Sequence, residues 1–426
     1  MVKRRGLWAN DDFLKLWAGE SISVLGTLIG KTALPFTAIL VLDAGAFEVG
    51  LLVAADILPA MVFGLFAGVW ADRLRRRPLM IAADVGSFVM LVTVPVAYAF
   101  DVLTMGQLFL VAFGTGAFHI LFDVSYNTYL PTLVKRDHIL EANSKMAATW
   151  SLSEVGGFSA AGVLVQVLTA PFAILFDAVS FLVSAVFIGA IRYEEKKPEA
   201  PAVKTSVLAE IRDGARALLD NAVLRAMAAS NVVMDFSVRV IGSVYLLYAT
   251  RELGFEPALL GFVFAVGGLT SLPGAIFAGR AARRFGIGPS MVLALMVLGS
   301  FSLLTPAARD ASVLSLALLV GHQFGDFAWT MHDINQTTLR QSITPERYLG
   351  RVNAGMRFSG TSAMLAGALA GGVLGEVVGL RATLIVGSGG LFAAAAVLAL
   401  SPVWGTREMP PLEERGVDGG VAPVEP

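Results

Sequence analysis

Any chemistry in this chain has to be done by charges set inside apolar sequence. Glu20, Asp56, Asp84, Asp123, Glu154, Asp177, Asp235, Asp326 and Asp333 fall within long hydrophobic stretches, as do Lys31, Arg239, Arg357, His119, His322 and His332. An unpaired charge at the centre of a membrane span costs roughly 2.5–3.5 kcal/mol. Left bare, these nine acids would together cost more than about 20 kcal/mol, so they must be paired, protonated or turned towards water. A buried carboxylate can take a proton from one side of a membrane and release it to the other, which is what coupling to a proton requires.

Spacing and depth sort these groups. Asp84 and Asp333 lie towards span ends, where snorkelling or surface pairing is expected. Asp177, within FDAVSF, reads as a structural hydrogen-bonding acid. His119 and Asp123 are four residues apart on one helical face, so the histidine can satisfy the aspartate. Asp235 and Arg239 share that spacing and form either an internal salt bridge or a pair that a proton or substrate opens.

Other chemistries are excluded. The chain has no cysteine, which removes disulfides, thiolate nucleophiles and Cys-ligated metals. No HExxH, GxSxG or EF-hand spacing occurs, which argues against hydrolase and metal chemistry. GTLIGKT at 26–32 imitates a phosphate-binding loop, but Leu25 stands where its first glycine belongs, and no strand precedes it. No cofactor is expected beyond the proton as coupling ion.

The elements that hold these charges follow from composition. Of 426 residues, 56% are hydrophobic and 15% charged, against about 25% charged in a soluble domain. Mean hydropathy is +0.71, which makes this a protein of the lipid bilayer. The net charge of −1 offers no field for nucleic acid. A spanning helix needs about 20 mostly apolar residues. By that criterion spans begin near Phe13, Phe47, Pro78, Thr104, Ser144, Pro171, Val223, Pro257, Pro289, Ser312, Gly350 and Arg381. The first is uncleaved, because its apolar segment is too long for a signal peptide.

One set of loops carries 26 of the 32 Lys and Arg, and the opposite set only Arg251, Arg309 and Arg381. The positive-inside rule then places both termini in the cytoplasm. The polar stretch after the sixth span divides the chain into a bundle at 1–192, a linker at 193–222, a second bundle at 223–403 and a disordered tail at 404–426. In the linker, Val207, Leu208, Ile211, Ala215, Leu218 and Leu219 share one face and predict an interfacial helix. The halves repeat at a shift of 210 residues, with Asp123, Leu133, Asn143, Gly157 and Gly162 over Asp333, Ile343, Asn353, Gly367 and Gly372. The expected fold is all-α, with twelve transmembrane helices in two pseudo-symmetric six-helix bundles. Gly367, Gly371 and Gly375 are spaced for close helix packing.

The turn between spans two and three reads GVWADRLRRRPLM. Its arginines are at least topogenic, and Asp72 can face a neighbouring helix N-terminus or a guanidinium. This chain resembles the major facilitator superfamily, whose pattern at that turn is matched by Gly68, Asp72, Arg73, Arg76 and Arg77, with Arg75 where the pattern has glycine. WAGESIS at Trp17, FDAVSF at Phe176, and the YLPTLV and EAN elements around Pro131 look like its drug:proton antiporter branch. The resemblance implies a cytoplasmic latch in the outward-open state, one arginine pairing with an acid of the fourth span; by position, Asp72, Arg76 and Asp123. Two departures stand out: GGFSAAG has Phe158 where relatives carry proline, and the second-half counterpart AGRAARR has Gly279 in place of the aspartate.

In that family spans one, four, seven and ten line the cavity. This implies a substrate or proton pathway of Glu20, Lys31, Asp235, Arg239 and Asp326, with Asp56, Glu154 and Arg357 beside it. The expected protein is a monomeric, non-enzymatic exporter of the cell inner membrane, moving a hydrophobic or amphipathic small molecule such as a drug, antibiotic or siderophore by alternating access and proton antiport. Two alternatives stay open: an uptake symporter or facilitator for a nutrient or lipid-like substrate, and a non-transporting scaffold or sensor.

Overall fold

The computed structural model describes residues 6–193, 195, 216 and 218–407, without the side chains of 64–73 and 347. Its long helices are α1 (Asp11–Leu40), α2 (Ala46–Arg73), α3 (Arg76–Ala99), α4 (Met105–Leu133), α5 (Ile139–Leu168), α6 (Ala170–Gly189), α7 (Ala222–Leu247), α8 (Pro257–Phe285), α9 (Ile287–Ser302), α10 (Val313–Gln323), α11 (Gly325–Ile343), α12 (Glu346–Val377) and α13 (Leu380–Ala399). Among the described residues there is no strand, as expected where every backbone group must be satisfied in lipid.

Among the described residues, eleven helices are long and apolar enough to cross a membrane. The tenth of the twelve spans is α10 plus α11, interrupted at Phe324, whose N–H turns back to the Gly321 carbonyl. The carbonyl of Gln323, next to this break, is taken by the Thr270 hydroxyl of α8 at 2.7 Å.

Local sequence explains where helices start. Asn10 accepts from Phe13 N, Thr104 from Gln107 N, Asn221 from Val223 N and Leu224 N, and Ser312 from Ser315 N, each satisfying an amide with no partner inside its helix. Pro171 and Pro257 occupy first turns, where a missing N–H costs nothing.

Helices α1–α6 form one bundle and α7–α13 the other. Within them α1 packs on α6 and α5, α3 on α4 and α6, α7 on α12 and α13, and α8 on α11, while α2 with α12 and α5 with α8 join the bundles. The glycines of GTLIGKT serve this packing: Gly26 lies against Ser180 and Gly30 against Asp177, both on α6. Gly367, Gly371 and Gly375 likewise bring α12 onto α7.

The repeat extends to backbone and burial. Residues 161–169 and 371–379 have the same sequence of buried and exposed positions, residue for residue. Thr169, joining α5 to α6, has φ 76° and ψ 155°, and its counterpart Gly379, joining α12 to α13, has φ 89° and ψ 158°. Such a conformation suits glycine and strains a β-branched residue.

Of the interfacial helix expected in the linker, Val207, Leu208, Ile211 and Ala215 lie outside the described residues; Leu218 is buried and Leu219 exposed. Disorder expected from Trp404 begins further on at the earliest: Pro402–Gly405 is a 3-10 turn, and the Thr406 carbonyl accepts from Gly288 N.

Candidate functional site

The face that carries the described ends of the chain and the arginine-rich turn before α3 is the basic face, and the other the distal face. At the distal face the bundles touch backbone to backbone. A Cβ on Gly162 of α5 would lie 2.9 Å from the Cα of Gly261 on α8, and one on Gly50 of α2 would lie 2.7 Å from the Cα of Gly372 on α12. Hydrogen bonds reinforce both crossings. Gln166 Nε2 donates to Glu256 at 2.7 Å and its Oε1 accepts from Ala258 N at 3.1 Å, while Glu376 accepts from Phe47 N at 3.2 Å. Arg251, at the end of α7, pairs with Asp43 and donates to the Ile39 carbonyl. Ser362 approaches Met61 Sδ at 4.0 Å nearer the basic side. Towards the basic face, α5 leaves Asn143, Ser144, Ala147 and Ala148 exposed.

The space above this closure collects the charges. Lys31 and Asp123 of the first bundle and Arg357 of the second are exposed although they lie within spans, and both cations act on the aspartate's charge. Glu20 lies within electrostatic reach of Asp123 and Asp84, and its Oε2 is buried with no partner among the described residues. Lys31 and Asp56 both act on His119. On the other side, Glu154 and Asp326 flank consecutive glycines of α8: Glu154 Cβ would be 3.1 Å from a Cβ on Gly268, and Asp326 Oδ2 rests against Gly267. The two acids come from different bundles, and the charge of Glu154 acts on Asp326; Glu154 also accepts from Trp150 Nε1 at 3.1 Å.

Aromatic rings run beside this pair. Phe158 of α5 meets Phe264 of α8 at 5.8 Å between centroids, Phe264 meets Tyr245 of α7 at 5.5 Å, and Tyr245 meets His322 of α10 at 5.3 Å. The Tyr245 hydroxyl accepts from Gln323 Nε2 at 3.4 Å. Phe158 is thus a wall residue joining the bundles.

Several expectations need correcting. Asp84 is 1% exposed, with neither carboxylate oxygen hydrogen-bonded among the described residues, so it neither snorkels nor pairs at the surface; it lies two turns inside α3, facing α6 near Ser184. His119 does not satisfy Asp123, since its Nε2 is unpartnered and its ring packs on Phe181. No ion pair closes between Asp235 and Arg239 among the described residues, and Arg239 Nε is buried without a partner; Asp235 instead lies against Gly360 of α12. Asp177 has an Oδ1 with no partner among the described residues and fills the space left by Gly30.

The resemblance implies the latch for the outward-open state, and in the present state its described residues make other contacts. The side chains of Gly68, Asp72 and Arg73 lie outside the described residues, on the last turns of α2. Arg76 does not pair with Asp123. Its guanidinium is 3.5 Å from Glu195, whose Oε2 accepts from Arg76 N at 2.8 Å and Arg77 N at 3.2 Å, so a linker carboxylate caps α3. Arg77 donates to the Ile188 and Gly189 carbonyls at the end of α6. Sequence reasoning missed Glu195, which sits in a charge-rich linker, and missed Asp43, Gln166, Glu256 and Glu376. One signal was available: Arg251 is among only three cations in the loops of its face.

Comparisons with known proteins agree with this architecture. The family model described as Major Facilitator Superfamily matches residues 16–368, and again 227–420. The chain is 26% identical over 381 residues to the uncharacterized MFS-type transporter YfiS of Bacillus subtilis, covering 88% of this chain and 89% of that protein. It is 27% identical over 358 residues to the multidrug efflux pump Tap of Mycolicibacterium fortuitum, with 80% and 84% covered. Macrolide efflux protein A of Streptococcus pyogenes is 22% identical over 253 residues, 58% of this chain and 60% of that one. Among solved structures, a variant of the nucleoside transporter NupG superposes with a TM-score of 0.76 at 13% identity, over 91% of this chain and 99% of that one. A bacterial homologue of the iron transporter ferroportin, in its inward-facing state, gives 0.75 at 18% identity, over 93% and 99%. A multi-pass chain of two pseudo-symmetric six-span bundles around a charged cleft, matched by that model along most of its length, belongs to the Major Facilitator Superfamily.

Proposed function

We propose that this transporter exports a hydrophobic or amphipathic small molecule from the cell in exchange for protons. The basic face is the cytoplasmic one, as the distribution of Lys and Arg requires, and the distal closure then makes this the state open to the cytoplasm. Mycolicibacterium Tap and streptococcal macrolide efflux protein A, both named for efflux, support the direction. What carries the reading is a set of carboxyl groups within the spans of both bundles: Glu20, with an oxygen that is buried and unpartnered among the described residues, and Glu154 of α5 with Asp326 of α11, against the adjacent glycines Gly268 and Gly267 of α8. Two acids that approach as the bundles meet cannot both stay charged cheaply. Taking up a proton relieves that cost, and giving it up favours separation. The rings of Phe158, Phe264 and Tyr245 supply the apolar surface for the cargo.

Purified protein in proteoliposomes with an imposed pH gradient tests this reading. Interior-acid vesicles should accumulate an amphipathic dye in exchange for protons, and Glu20→Gln and Asp326→Asn should each abolish the substrate-dependent pH change. Accumulation driven by the opposite gradient would make the protein a symporter. PH changes that persist in both variants would reject these acids as the coupling groups.

A further inference from the structure

Gln166 and Glu376 stand 210 residues apart, at the same place in the two halves, in stretches with the same burial pattern. Each reaches across to the other bundle and accepts a hydrogen bond from the first turn of a helix there. Gln166 on α5 takes Ala258 N of α8 and also donates to Glu256, while Glu376 on α12 takes Phe47 N of α2. The acceptors and the capped helices are both related by the internal repeat, since Phe47 shifted by 210 falls beside Ala258. Amides of a first helical turn have no partner within their own helix, and Phe47 N and Ala258 N obtain theirs only while the bundles touch. When the distal side opens, both pass to water and the bonds are lost together. Beneath each cap lies a backbone crossing, Gly162 on Gly261 and Gly50 on Gly372, which sets the helix ends at the distance the caps need.

From this we infer that Gln166 and Glu376 are positioning residues of the transport cycle, a pair of reciprocal inter-bundle helix caps that set the balance between the distal-closed and distal-open states. They touch neither the cleft acids nor the aromatic wall. Their effect is therefore on which state is populated and not on what is bound. Glu376 also presents its carboxylate to the positive end of α2, and glutamine at that position would keep the acceptor while giving up the charge. The inference rests on alternating access, and not on the direction of transport or on the coupling ion.

The absence of cysteine from the chain makes a spin-label experiment direct. Val102→Cys and Ala311→Cys place one label on the distal side of each bundle, at exposed loop positions, in the full-length protein reconstituted in lipid nanodiscs. Pulsed electron resonance then reads the short-distance, distal-closed population against the long-distance one at pH 8 and at pH 5. Gln166→Ala and Glu376→Ala should each raise the long-to-short ratio about fivefold, the scale of losing one helix cap. The double variant should raise it roughly 25-fold if the two act independently, while Glu376→Gln stays near the parent ratio. A merely structural role would lower the melting temperature and leave the ratio unchanged, and that result overturns the inference. A parent protein with one identical distance distribution in both conditions and in every variant would instead overturn alternating access, and the inference with it.

Discussion

The two bundles share one backbone plan and use it with different chemistry. At the basic face of the first bundle, the start of α3 is held by charge: Glu195 caps its amides and pairs with Arg76, and Arg77 caps the end of α6. At the equivalent place in the second, the start of α9 is held through the backbone, with Gly288 N donating to the Thr406 carbonyl at 3.0 Å, while Arg280 turns back to the Ile276 carbonyl of its own helix. Charged contacts can be exchanged for other charged contacts at small net cost, whereas a backbone bond has no alternative partner nearby. The two halves of this face are thus held by different kinds of contact. The missing acid at Gly279 fits that division, because a half held by backbone has no use for a switchable carboxylate.

At the distal face the halves are alike, and the sharpest way to break that likeness is to block one crossing. Gly162→Leu puts a side chain where Gly261 already stands, 2.9 Å from the position of its Cβ, and Gly372→Leu does the same against Gly50. Over-packing of this kind costs about 1–3 kcal/mol, which moves a two-state balance by roughly five- to 150-fold. Both variants should be shifted towards the distal-open state, with transport reduced about fivefold or more, as measured in proteoliposomes and by the distance between labels on the two bundles. If Gly162→Leu is inactive and Gly372→Leu transports normally, the two crossings are not equivalent and the symmetry is only geometric.

This likeness was partly legible in the sequence. Span number follows from the length of helix that hydrocarbon requires, and the 210-residue repeat placed Gly162 over Gly372 before any contact was known. The break at Phe324 was hidden, because hydropathy reports apolar length and α11 owes its place to polar residues facing protein. Asp84 was misplaced for a related reason: distance from a span end says how deep a residue lies, not which way it faces, and α3 turns it onto α6. The partner of Arg76 could not be read at all. Glu195 belongs to a charge-rich linker whose composition resembles a solvated tail. The distal contacts come from short polar loops with no period, where only the rarity of cations singled out Arg251.

A second comparison can be reversed by exchanging residues. Thr169 and Gly379 hold nearly the same dihedral angles, in a region that costs a β-branched residue about 1–3 kcal/mol. A Cβ on Gly379 would meet no atom within 4 Å, so Gly379→Thr isolates the backbone cost. It should destabilise by about that amount, and Thr169→Gly should stabilise by roughly 1 kcal/mol, since glycine returns part of the gain through its freer unfolded chain. Thermal unfolding in detergent reads both. Opposite shifts in melting temperature are expected, and a destabilised Thr169→Gly would mean that the threonine side chain contributes more than its backbone costs.

The smallest effect is expected at the ion pair that joins the same face. Asp43 is 95% exposed in its side chain and Arg251 35%, so the pair lies in water and salt, where such contacts contribute about 0.2–1 kcal/mol. Asp43 also sits at φ 53°, a left-handed conformation that Asp and Asn tolerate better than other side chains, which makes Asp43→Asn the clean probe: it keeps the turn and removes the charge. Its distal-open population should rise no more than about fivefold at low salt and match the parent at 0.5 M salt, where screening removes the pair from both. An effect as large as that of the glycine variants, or one that persists at high salt, would show that the charged contact and not the backbone crossings holds the distal face closed.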